Sequence, residues 1–143
     1  MTTQYVDRLI QSHPGIAEVW LFGSRADGTP KLNSDWDYMV FLSDQREFNG
    51  ICQDRELDQP EIDLFVVVGF RAMRPWSARD GQNKVLRLDA SPEGMHWTAR
   101  GASATYHSRE ERRPGSASFE PFVRVRVAKR VHFSGARGGR ESL

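Results

Sequence analysis

Residues 19–40, VWLFGSRADGTPKLNSDWDYMV, constrain this chain more than any other stretch. A short apolar run, Val19-Trp20-Leu21-Phe22, stops at Gly23-Ser24. A polar, turn-rich segment follows, and Asp35 and Asp37 then open a second apolar run from Tyr38. Apolar runs bounded by turn residues predict two strands joined by an irregular connection. Residues spaced i, i+2 at the start of a strand share a face, so Asp35 and Asp37 point the same way. Their mutual repulsion costs stability unless a cation sits between them. Gly23-Ser24 offers backbone N–H groups and a hydroxyl, donors of the kind that grip a phosphate. Phosphate donors beside carboxylates that can hold a metal point to nucleotide chemistry.

The rest of the chain sets the bounds. Its 143 residues fit one domain with a short extension, and 38% hydrophobic residues allow a modest core. The single cysteine, Cys52, excludes an internal disulfide framework and suits a reducing compartment. The opening MTTQYVDRLIQSHPG has neither the basic nor the apolar region of a signal peptide. No apolar run approaches the ~20 residues that cross a bilayer. The expectation is a soluble, cytoplasmic protein. The net charge of +1 hides an asymmetry: residues 1–104 hold 11 basic and 15 acidic residues, and residues 105–143 hold 9 and 4. The second segment therefore reads as a basic tail.

In chain order, residues 2–12 predict a helix, with Tyr5, Val6, Leu9 and Ile10 on one face and His13-Pro14-Gly15 as its end. Residues 16–22 predict the first strand and residues 24–28 one or two helical turns. If Ser24 caps those turns, their positive end faces a bound triphosphate. Residues 35–42 predict the second strand, residues 45–57 a helix, and residues 61–68 a nearly continuous apolar strand of the kind found mid-sheet. Residues 70–100 read as one or two short strands with loops, packed by Trp76, Leu86, Leu88 and Trp97. Residues 101–118 carry almost nothing apolar and read as linker or disorder. Val123, Val125, Val127, Val131 and Phe133 alternate with Arg124, Arg126, Arg130 and His132, which predicts a strand with one apolar and one basic face. That basic face reads as an edge strand guarded by its charges, or as a contact for nucleic acid through its phosphates. The tryptophans read as packing residues, with Trp36 pointing away from the two aspartates. The four histidines show no ligand spacing, and Cys52 reads as inert.

Asp63 gives the opening stretch its weight. It lies inside the strongest strand, between Ile62 and Leu64, where a lone aspartate is poorly suited. If this strand neighbours the one carrying Asp35 and Asp37, three carboxylates converge at one end of a sheet. Such a cluster can hold two Mg²⁺ ions about 3.5–4 Å apart, the spacing that clamps attacking and leaving oxygens in nucleotidyl transfer.

Gly23-Ser24, ten intervening residues, Asp35-x-Asp37 and a later Asp63 resemble the DNA polymerase β-type nucleotidyltransferase superfamily. More narrowly they resemble its minimal nucleotidyltransferases (MNT), an expectation extended by Arg25-Ala26 and Ser34. The resemblance covers about residues 1–70. It implies an α+β fold, a small mixed sheet flanked by helices, here with a poorly structured basic C-terminal extension. The division expected is a nucleotidyltransferase domain over 1–100 and a tail over 101–143 with a strand at 122–133. Truncation after residue 104 should then leave nucleotide binding intact. By the same resemblance Gly23, Ser24 and Arg25 would hold the triphosphate, and Asp35, Asp37 and Asp63 would be the catalytic metal ligands. The implied cofactors are Mg²⁺, two ions, with ATP or another NTP as substrate. The implied reaction moves AMP to an acceptor hydroxyl, on a partner protein as in MNT antitoxin and HEPN toxin pairs. Two other readings stand beside it: an MNT-fold binding module that neutralises a partner or contacts RNA without turnover, and an aminoglycoside-type transferase acting on a small molecule.

Overall fold

A computed structural model describes residues 2–28, 30, 32–77, 85–110 and 122–134. The fold is organised on β1 (Ile16–Phe22), whose seven residues are all buried. A strand hidden on both faces needs cover on each and a hydrogen-bonded neighbour on each edge. β2 (Trp36–Leu42) pairs antiparallel on one edge, and β8 (Phe122–Phe133) pairs antiparallel on the other. β3 (Ile62–Val68) adds to β2 in parallel. With β4 (Arg71–Met73), β5 (Val85–Arg87), β6 (Thr98–Arg100) and β7 (Ser103–Glu110), the sheet runs β5-β4-β3-β2-β1-β8-β7-β6. Among the described residues the expected small mixed sheet is thus an eight-stranded one, mixed through the parallel β2–β3 pair.

The helices lie on one face. α1 (Thr2–Ser12) presents Val6 and Leu9 at helical spacing, with Tyr5 and Ile10 beside them. α3 (Arg46–Gln53) contributes Ile51, and a single 3₁₀ turn over Arg55–Leu57 contributes Leu57. The sequence pattern joined these last two into one helix; Asp54, with its non-helical backbone, separates them. Alternate strand residues Val19, Leu21, Tyr38, Val40, Leu64 and Val66 meet these helices. The other set, Trp20, Phe22, Met39, Phe41, Phe65 and Val67, forms a second core on the opposite face. There the sheet curls, and the chain between β5 and β6 closes it. Trp97 stands edge-on to Trp20 at 5.3 Å, while His107 N–H donates to the Met95 carbonyl at 2.5 Å.

The C-terminal third departs most from expectation. Where residues 101–118 read as linker, residues 103–110 form β7, buried through Ala104 and Tyr106; residues 111–118 lie outside the described residues. The predicted strand at 122–133 is β8, but it is not an edge, because it hydrogen-bonds to β1 and β7. Its polarity is also inverted. Arg126 and Arg130 turn inward to Asp27 and Glu18, and the Arg130 guanidinium lies over the rings of Trp20 and Phe133. The apolar set points outward: Val123, Val125, Val127, Val131 and Phe133 are each between 39% and 62% exposed. On the inner face only Ala128 joins the second core, and the arginine stems beside it pack inward with their heads paired to Asp27 and Glu18. The sheet thus continues past residue 100, the expected domain limit, and within the expected tail residues 103–110 and 122–133 are paired strand.

A chain ending at residue 104 loses β8 and most of β7, exposing an edge of β1 and opening the second core at Tyr106 and Ala128. This chain is expected to show no cooperative thermal unfolding transition, in contrast to the full chain. Cooperative unfolding with retained nucleotide binding would return the last third to the role of an appendage.

Candidate active site

The site lies at the rim of the second core, where β1 ends and β2 and β3 begin. The parallel register pairs Asp37 directly with Asp63, so both carboxylates emerge side by side on the same face. The antiparallel register pairs Phe22 with Asp37, which brings the turn after β1 against them. Asp35 stands one residue before β2 and is exposed. It lies close enough to act electrostatically on Asp37. Trp36, between the two aspartates, packs on the helical face, as alternation requires.

Gly23 is the point of closest approach. Its φ of 75° falls where only glycine is unstrained, and a Cβ there would sit 2.1 Å from Asp37 Oδ2. The bare α-carbon is what lets the carboxylate seat against the turn. Gly23 itself is the N-cap of α2 (Ser24–Asp27), so Ser24 is the first helical residue rather than the expected cap. The Ser24 hydroxyl has no protein partner among the described residues. The Gly23 N–H, expected to meet phosphate, instead donates to the Tyr106 hydroxyl at 2.8 Å. Arg25, expected at the phosphates, turns to the loop that carries Asp35. Its guanidinium donates twice to the Ser34 carbonyl, at 3.1 and 3.0 Å, and stacks on Trp36 at 4.3 Å from the ring centre.

Two groups at this rim were missed in the sequence. Arg74 donates to Asp63 Oδ1 at 3.1 Å and lies over the Phe65 ring. Arg126 pairs with Asp27 at 2.6 Å. No motif marks either; only the tertiary fold brings them to the rim.

Burial, together with the charges of Asp63 and Asp35 and a hydrogen bond to Asp63, pushes the Asp37 carboxyl up to about 7, and Arg126 only partly offsets this. Asp63 has the Arg74 guanidinium as counter-charge. Crowded carboxylates of this kind are relieved by a proton or a cation. The donor set fits a hard cation such as Mg²⁺, since all the oxygens are carboxylate. Among the described residues, however, no three His, Cys, Asp or Glu side chains stand together in metal-holding geometry. The strand register pairs Asp37 with Asp63, and Asp35 stands beside them, close enough to raise the Asp37 carboxyl.

The glycine-serine turn is thus held against two paired, strand-borne carboxylates. Residues 4–68, just under half of the chain, match the family model described as polymerase beta, nucleotidyltransferase. The matched segment contains the turn and all three aspartates, and it is similar to the DNA polymerase β-type nucleotidyltransferases. None of the curated proteins compared matches it. Among the described residues no helix is long and apolar enough to cross a membrane.

Two outcomes follow from this geometry. Gly23→Ala should lower stability by roughly 2–4 kcal/mol, from backbone strain and collision with Asp37. Urea unfolding measures this, and an unchanged midpoint would contradict it. The second concerns pH. Asp37 titrates at 3.8 in an unfolded chain and at about 7 in the fold, so the folded protein binds this proton more tightly. The stability it contributes is complete below about pH 4 and is lost as pH rises to about 7. Without added divalent cation, the stability difference between the protein and its Asp37→Asn variant should therefore change by roughly 3–4 kcal/mol across that window. A pH-independent difference would contradict the assignment.

Proposed function

We propose that the protein is a Mg²⁺-dependent nucleotidyltransferase that moves a nucleoside monophosphate, AMP from ATP, to the hydroxyl of an acceptor. The observation that carries this reading is the Asp37–Asp63 pair seated against the Gly23-Ser24 turn. Asp37 and Asp63, with Asp35 beside them, would hold the divalent ion, which supplies positive charge to the phosphates when bound. Ser24 offers its hydroxyl to a phosphate oxygen. The acceptor oxygen forms a bond to the α-phosphorus, and the bond from that phosphorus to the bridging oxygen breaks. Pyrophosphate leaves, and the acceptor's proton passes to a carboxylate and then to water. Arg25 supports this site indirectly, by fixing the loop before Asp35.

The acceptor in this reading is a partner protein. The support is the outward valine stripe of β8, since large apolar side chains gathered on one exposed strand are the mark of an interaction surface. By resemblance to the minimal nucleotidyltransferases, a HEPN-type toxin is the concrete candidate. One observation favours a second reading, a binding module without turnover: Asp63 is already neutralised by Arg74, and Asp37 retains a proton to near neutral pH.

Incubation with α-³²P-labelled ATP, Mg²⁺ and the partner separates the two. Transfer of label that falls at least about a hundredfold in Asp37→Asn and Asp63→Asn supports the enzyme. Partner binding by all three proteins, with no label transferred by any, would establish the binding module instead.

A further inference from the structure

We propose that Tyr106 and Arg126 are positioning residues of the transfer site, which fix the turn presenting Ser24 to a nucleotide's phosphates. Both lie outside residues 4–68, in the strand pair β7–β8. This inference rests on the transferase reading above.

The turn cannot hold itself. α2 has four residues, too few for a stable helix, and its N-cap Gly23 has no side chain with which to cap it. Its two ends are held from elsewhere. At the start, the buried Gly23 N–H donates to the Tyr106 hydroxyl at 2.8 Å. At the end, Asp27 accepts from Arg126 Nε at 2.6 Å, with the two side chains only 9% and 14% exposed. Tyr106 and Arg126 are direct cross-strand partners, so one rigid pair grips both ends of the five-residue turn. The Tyr106 ring is fixed in turn by Phe22, edge-on at 5.9 Å, and by Trp97, stacked at 5.9 Å. Phe22 immediately precedes the turn, so ring packing and the hydroxyl contact set the same segment. A displacement of about 1 Å in such a turn is enough to misplace a bound phosphate relative to the reacting groups.

The test uses the full chain and inorganic tripolyphosphate with Mg²⁺, which reports on phosphate binding whatever the base preference. Tyr106→Phe removes one hydroxyl and keeps the ring. It should weaken tripolyphosphate binding roughly tenfold, the scale of one lost hydrogen bond, while the fold, read by circular dichroism, is retained. Asp27→Asn gives an independent reading that does not touch the core. By charge alone, removing an anion near the phosphates would tighten binding; loss of the grip on the turn weakens it, by severalfold or more. Binding by the unaltered protein that is unchanged in Tyr106→Phe, or tightened in Asp27→Asn, overturns the positioning role and leaves the transferase reading in place. Absence of tripolyphosphate binding by the unaltered protein overturns both.

Discussion

The parallel pairing of β2 with β3, in the register that sets Asp37 beside Asp63, is the constraint on which the site depends. A shift of one residue would turn Asp63 to the helical face and bury a carboxylate among the apolar neighbours of Leu64 and Val66. The apolar residues therefore fix the chemistry. Ile62, Leu64 and Val66 must face the helices, and so Asp63 must face the opposite side. The same logic in β2, through Tyr38 and Val40, aims Asp37. Gly23 completes the arrangement by leaving room for Asp37 at the end of β1.

What was legible in the sequence was legible for physical reasons. α1, β1 and β3 announce themselves through strong periodicity and clear punctuation, and their limits fall within a residue of those expected. The aspartates and the glycine-serine turn stand out because charge inside an apolar strand demands a use. The roles within the turn were less legible. Whether the Gly23 amide meets a phosphate or a tyrosine depends on a residue 83 positions away. Arg25, charged and adjacent to the turn, reads as a phosphate ligand until Trp36 and the Ser34 carbonyl are seen to claim it.

The last third was misread because its segments are polar by composition and ordered by context. SATYHSRE has one small apolar residue and a tyrosine, too little to mark a strand, yet pairing with residues 122–129 of β8 along its whole length supplies its backbone hydrogen bonds. In β8 the period of two was evident and its orientation was not. Buried acids at Asp27 and Glu18 draw the arginines in and leave the valines out, a choice that no local pattern encodes. The family match ends at residue 68, but the sheet that supports the site does not.

The central claim is that Asp37 and Asp63 form a cation site beside a phosphate-binding turn. Crystals grown with Mn²⁺ and a non-hydrolysable ATP analogue test it most directly, since anomalous scattering locates the metal. The account predicts manganese bound by Asp37 and Asp63, with the triphosphate next to Ser24. Ordered nucleotide and metal elsewhere, with Asp63 still paired to Arg74 and no manganese at the carboxylates, would contradict it.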